Sequence, residues 1–155
     1  MKQKPEQTIE AFVERLGLVA QGDGLPRIAG RIMGFLVIYG GPFSFTELAE
    51  RLKVSRGSIS TNTRLLEHLG VIERVARAGE RQDYFQIQSQ PYDALLRGVL
   101  DRLHKASEVV TDTQSKLPAN WGDPQARARL ADLGDFYGKC IKNTETIIGD
   151  GKKRK

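Results

Sequence analysis

The sequence predicts a mainly α-helical protein with a small β-hairpin wing: a winged helix-turn-helix with N- and C-terminal dimerisation helices. Three observations carry that expectation. Apolar residues recur at helical spacing through most of the chain. Between residues 45 and 70, two such helices are separated by only a tight turn. Directly after them the period shortens to about two residues over two short runs joined by a glycine-containing tip.

Composition agrees with a soluble globular chain. The 155 residues suit one domain with a helical extension, at 39% hydrophobic and 28% charged. The single cysteine, Cys140, excludes an internal disulfide framework and a cysteine-based zinc site. It reads as a small hydrophobe on a helix. The longest apolar stretch, Ile32 to Tyr39, is interrupted by Gly34 and too short to span a bilayer. The start, MKQKPEQTIE, lacks the apolar run of a signal peptide, so a cytoplasmic location is expected. No HExxH, Walker lysine or dinucleotide glycine pattern occurs. The reading is therefore not an enzyme, with no catalytic residue, metal or cofactor expected.

The elements follow in order. Pro5 opens a first helix with Ile9, Phe12, Val13 and Leu16 on one stripe, and Gly17 is expected to fray or end it. Gln21 to Gly24 reads as a loop, with Asp23 available as a cap. Pro26 opens a second helix to Tyr39, apolar on most sides and so central to its domain. Gly30 and Gly34 lie four apart on it. Glycine weakens a helix, so close approach of another helix is the compensation. Gly40-Gly41-Pro42 breaks it.

Ser44 and Glu47 have capping-box spacing for the next helix, which buries Leu48 and Leu52. Lys53-Val54 is the turn. Ser55 caps the following helix, whose inner stripe is Ile59, Asn62 or Thr63, Leu66 and Leu69, and Gly70 ends it. Val71 to Arg77 and Asp83 to Ile87 are the strands, with Val75, Phe85 and Ile87 expected inward. From Tyr92 a heptad seam runs through Leu96, Val99, Leu103, Ala106, Val110 and Thr113 to Leu117. Asp123-Pro124 starts a last helix expected to bury Leu130, Leu133, Tyr137, Ile141, Thr144 and Ile148. Residues 1–23, 24–90 and 91–150 thus divide into an N-terminal helix, a winged helix-turn-helix and a C-terminal helical region. Residues 151–155 form a basic tail expected to be unstructured.

Charge points to a polyanion partner. The net charge is +5, yet residues 51–81 alone carry 7 basic and 3 acidic side chains, against 5 and 6 in residues 1–50. A helix entering the major groove needs a thin, donor-bearing outer face. Helix 55–69 offers Arg56, Ser58, Ser60, Thr61 and Arg64 there. Ser55 and Arg56 sit at the helix start, where free amides also favour phosphate. Lys53 in the turn suits a phosphate. Arg81 at the hairpin tip suits a minor groove, and Arg74 and Arg77 flank the hairpin backbone. Duplex DNA is the expected partner. The competing class is a winged-helix interaction module meeting an acidic protein, or a non-specific architectural DNA binder.

One winged helix makes few phosphate contacts, whereas two across a two-fold axis read a palindrome. The terminal helices exceed what the wing domain needs for its core. A homodimer is expected through Phe12, Leu16, Leu96, Val99, Leu103, Val110, Tyr137 and Ile141.

Over residues 8 to 110 the chain resembles the GbsR/MarR group of winged-helix transcriptional regulators. The resemblance rests on LPRIAGRIMGFLVI (25–38), FTELAERLKVSRGSISTNTRLLEHLGVIERV (45–75) and GERQDYFQI (79–87). The pair Gly30-Arg31 is similar to the GbsR-like branch. The resemblance implies a homodimeric regulator, often a repressor, binding a palindrome through Ser55–Leu69 and the wing. Arg81 matches the family's wing arginine, and Arg56, Ser60 and Arg64 fall in its recognition-helix pattern. Some members sense choline, glycine betaine or related solutes. A cage for such a cation would draw on Phe12, Phe35, Tyr39, Tyr92, Trp121, Phe136 and Tyr137, although aromatics at helical spacing are more often core.

Overall fold

The computed structural model describes residues 4–152, and side chains as far as residue 149. Its elements are α1 (Pro5–Gly22), α2 (Arg27–Tyr39), β1 (Phe43–Ser44), α3 (Phe45–Leu52), α4 (Arg56–His68), β2 (Ile72–Ala76), β3 (Asp83–Ile87), α5 (Pro91–Lys116) and α6 (Pro124–Lys152). The chain divides into two compact units, Met1–Pro91 and Tyr92–Lys155.

In the first unit α2 is the hub, packing on α1, α3, α4 and β3. Its Ala29, Ile32 and Leu36 join Leu48 and Leu52 of α3, Ile59 and Leu66 of α4, and Val71, Ile72 and Phe85 around the hairpin in one buried core. α1 belongs to this unit and lies along α2. Gly17 does not end α1. A Cβ there would lie 2.9 Å from the Arg27 carbonyl oxygen, and at Gly30 it would lie 2.9 Å from the Leu16 carbonyl oxygen. Both glycines are places where two backbones touch, so the helix runs through Gly17 to Gly22. The contact expected at Gly30 and Gly34 is therefore made by α1. Leu16 contributes to it, reaching within 3.1 Å of a Cβ built on Gly34. Asp23 does not start α2; it closes α1, its N–H donating to the Val19 and Ala20 carbonyls at 3.1 Å.

The sheet has three antiparallel strands in the order β1-β3-β2. β1 escapes the sequence pattern because two residues are too few to show alternation. The register Arg74↔Phe85 and Val75↔Tyr84 sets Val75 on the face opposite Phe85. Val75 is accordingly half-buried, and the inward residue of β2 is Ile72.

The second unit holds α5 and α6. Asp123 caps α6, its Oδ1 accepting from Ala126 N at 2.7 Å. Arg127 donates to the Trp121 and Gly122 carbonyls at 2.7 and 2.8 Å and pins the connection. Val110 is buried, and its Cγ1 stands 3.4 Å from a Cβ built on Gly134 of α6. Thr144 and Ile148 are buried as expected. Leu133 is exposed, contrary to expectation, as are Tyr92, Val109, Phe136 and Ile147. α6 runs on to Lys152, so the supposed tail begins in helix, and residues 153–155 lie outside the described residues. No helix among the described residues is long and apolar enough to cross a membrane.

The seam between α1 and α2 yields a test. Alanine is the better helix former, yet Gly30→Ala puts a methyl 2.5 Å from Ala20 Cβ. Overpacking of that kind costs about 1–3 kcal/mol, read as a lower urea midpoint by far-ultraviolet circular dichroism. Gly22→Ala, with nothing within 4 Å, leaves the midpoint unchanged or slightly raised.

Candidate nucleic-acid interface

The interface is built outward from two helix caps. Ser44 Oγ accepts from Glu47 N at 3.2 Å while Glu47 Oε2 accepts from Ser44 N at 2.7 Å, the reciprocal box that starts α3. The Ser44 amide and hydroxyl hold the Glu47 carboxyl below its ordinary value. α3 ends at Lys53, which adopts a left-handed backbone, φ 54°. That twist sends the chain into α4 within a few residues.

Ser55 caps α4, its Oγ accepting from Ser58 N at 3.1 Å and donating to Ser58 Oγ at 2.9 Å. Ile59, Asn62, Thr63 and Leu66 turn inward. Both Asn62 and Thr63 are buried because each feeds a hydrogen bond back to its own helix, Asn62 Nδ2 to the Ser58 carbonyl and Thr63 Oγ1 to the Ile59 carbonyl. The outer side then carries exposed Arg56, Thr61, Arg64 and His68, with Ser58 and Ser60 half-buried along its edge. Gly57 at its start, where a Cβ would stand 3.9 Å from Ser55 Oγ, keeps the surface thin. Lys53 is exposed at the turn and Arg81 at the wing tip.

Two clusters on the wing were not legible from the sequence. Arg74 is an expected DNA contact, but its guanidinium is held by Glu67 of α4 at 3.0 Å and Asp83 of β3 at 3.1 Å. Its hydrogen bond to Glu67 raises its pKa. The register sets Arg74 on the face that α4 covers, so it joins helix to wing. Nearer the tip, Arg77 lies 4.0 Å from the Tyr84 ring centroid. The Tyr84 hydroxyl donates to Glu80 and accepts from Gln82 Nε2 at 2.7 Å. That contact lowers the Glu80 carboxyl pKa and raises that of the Tyr84 phenol. Only the strand register, which pairs residues about the tip, reveals either cluster.

Of the expected dimer residues, Leu16 and Val110 are engaged within their own chain, at Gly34 and Gly134. Phe12 is exposed, while Leu96, Val99, Leu103, Tyr137 and Ile141 are half-buried. Of the candidate cage rings, Phe35 and Tyr39 meet, centroids 4.7 Å apart, with Phe43 against both at 5.0 and 6.5 Å, and Phe136 meets Tyr137 at 5.5 Å.

Comparison with known proteins decides what this surface belongs to. A family model described as MarR family matches residues 23–82, the span from the loop before α2 to the wing tip. The chain is 34% identical over 152 residues to the HTH-type transcriptional regulator MmpR5 of Mycobacterium tuberculosis (strain ATCC 25618 / H37Rv), covering 96% of this chain and 87% of that protein. The chain belongs to the MarR family. It is a DNA-binding transcriptional regulator. A crystal structure described as that of a transcriptional regulator matches with a TM-score of 0.72 at 30% identity, over 95% of this chain and 99% of that one. The chain is also 23% identical over 91 residues to the HTH-type transcriptional repressor OpcR of Bacillus subtilis (strain 168), spanning 59% of this chain and 49% of that protein. The MarR match thus falls on the unit that carries α4 and the wing.

The α3 cap makes a prediction about stability. Ser44→Ala removes an N-cap oxygen and costs about 1 kcal/mol. Glu47 has a lowered folded pKa, so its contribution is full above the ordinary carboxylate value of 4.5 and is lost as pH falls through the folded value. The stability gap between the parent and Glu47→Gln, measured by urea unfolding, narrows as pH falls through that window.

Proposed function

We propose that this regulator acts as a homodimer on a palindromic operator, each copy laying α4 in the major groove with its wing against the adjoining minor groove. The observation that carries the reading is the one-sided burial of α4: Ile59, Thr63 and Leu66 are buried and Arg56, Thr61 and Arg64 are free. In this reading Arg64 reaches a base edge, Ser60 and Thr61 line the groove, and Ser55, Arg56 and Lys53 meet phosphate. Ser58 serves the cap more than the DNA, because its hydroxyl accepts from Ser55. Arg81 reaches the minor groove, with Arg77 beside it over Tyr84. Arg74 positions the wing.

Pairing of two copies is supported by the apolar surface left on α5 and α6. Tyr92, Val109, Leu133, Phe136 and Ile147 are exposed on helices of 26 and 29 residues, and Leu96, Val99, Leu103, Tyr137 and Ile141 extend those faces. Phe12 adds an exposed ring on α1. Occupying an operator blocks other proteins from it, so repression is the default outcome, as the name of the similar OpcR protein says of that protein. Placement in the GbsR-like branch rests on the Gly30-Arg31 pair of the sequence alone. Modulation by a small cation of the choline or betaine kind is supported by the Phe35–Tyr39 ring pair alone.

The test is selection of genomic fragments on the purified protein, footprinting, and anisotropy titration at several salt concentrations. Arg64→Ala is expected to cost about 1–3 kcal/mol on the selected site and far less on competitor DNA. Arg81→Ala weakens the selected site, and Leu103→Asp yields monomer mass with loss of cooperative binding. Equal affinity for selected and competitor DNA would instead establish the architectural reading.

A further inference from the structure

Resting on the reading that the wing meets the minor groove, we propose that Tyr84 is a positioning residue that gives the wing its specificity. Its hydroxyl withholds the Glu80 carboxylate from Arg81 and from DNA, which leaves Arg81 free to favour a narrow, A·T-rich minor groove beside each half-site. Tyr84 is 4% exposed and sits in the middle strand, opposite Ser44 on one side and Val75 on the other. The scaffold therefore fixes where its hydroxyl stands. The tip then folds back toward it: Gly79 has φ 83° and Glu80 N donates to the Arg77 carbonyl at 3.1 Å.

An account of the carboxylates around Arg81 carries the inference. Glu80 precedes Arg81 in the chain, and Asp83 follows two residues later. Both are taken up by other groups. Glu80 Oε2 accepts from the Tyr84 hydroxyl and from Gln82 Nε2, the latter at 3.3 Å, and Arg77 on the Tyr84 ring adds its field. Asp83 Oδ2 is held by Arg74 at 3.1 Å. Glu47 of α3, which also feels Arg77, is committed to the Ser44 cap. Arg81 is exposed and takes part in no ion pair or hydrogen bond among the described residues. The tip thus presents a cation whose neighbouring anions are all engaged elsewhere. The Tyr84 contact also keeps Glu80 ionised and Tyr84 protonated at neutral pH, so donor and acceptor keep these roles.

Freed from the hydroxyl, the Glu80 carboxylate has two places to go. It pairs with the adjoining Arg81, or it stands against DNA phosphates that repel it. Either outcome weakens the wing contact. The loss is largest where the minor groove is narrow, because the negative potential there is strongest: it attracts a guanidinium most and repels a carboxylate most. The hydroxyl therefore acts on flank preference as well as on affinity.

Anisotropy titration of the full chain on one selected fragment, with its flanks changed from A·T to G·C, tests the proposal. Tyr84→Phe keeps the ring under Arg77 and removes the hydroxyl. It is expected to weaken the A·T-flanked fragment about fivefold and the G·C-flanked one less. The slope of log affinity against log salt falls in magnitude by about one per chain. Adding Glu80→Gln to Tyr84→Phe restores parent affinity, and Glu80→Gln alone binds at least as tightly as the parent. A folding defect or a purely structural hydroxyl leaves the double variant as weak as Tyr84→Phe, and that result overturns the proposal. So does an unchanged Tyr84→Phe, a weakened Glu80→Gln, or an equal loss on both flanks. The parent's preference for the selected fragment over competitor DNA tests the regulator reading by itself, whereas the ratio of variant to parent on one duplex tests Tyr84.

Discussion

The burial of one side of α4 against α2 is the constraint on which the proposed DNA-binding surface depends. Ile59 and Leu66 meet the α2 residues Ile32 and Leu36 in a core that excludes water almost completely. Turning α4 by a quarter turn would bring Arg64 toward that core and expose Ile59. Burying an unpaired charge costs several kcal/mol, which no surface contact of Arg64 offsets. The helix is therefore fixed in rotation before any DNA arrives. Asn62 and Thr63 fit at the margin of the buried side because each satisfies a polar group on its own helix.

Polar contacts add to apolar packing in positioning the wing. β2 and β3 carry Ile72 and Phe85 inward at their inner end, but near the tip their neighbours are polar. There Arg74 ties Glu67 to Asp83, and Tyr84 collects Arg77, Glu80 and Gln82. The Arg74 pairs are largely exposed, so each contributes about 1 kcal/mol or less. Their effect is geometric. They define where Arg81 stands relative to α4 without filling a core, and they weaken as ionic strength rises.

Most of the winged unit was legible in the sequence because its elements are long and periodic. The α3 capping box, the Ser55 cap and the hairpin boundaries follow from local spacing. Gly30 as a contact point followed from the cost of glycine in a helix, but the same argument applied to Gly17 would have extended α1, where a stop was expected. What local pattern does not hold is register. Val75 alternates correctly with its neighbours yet lies on the other face from Phe85, and Arg74 reads as a free arginine until β3 places Asp83 beside it. In α5 a heptad marks an apolar face without saying what covers it. Val110 meets its own α6, while Val109 next to it is exposed.

Arg31 extends the same logic from α4 to α1. Its side chain is 17% exposed and leaves α2 to reach both neighbours, Glu14 on α1 and the Leu52 carbonyl at the end of α3. That carbonyl belongs to the last turn of α3, where helix carbonyls lack partners, and a guanidinium there also complements the helix dipole. One side chain thus holds the end of α3 to α1 across α2. The close glycine seam leaves α1 little room to move against α2. α1 also presents exposed Phe12, Leu18 and Val19 away from that seam.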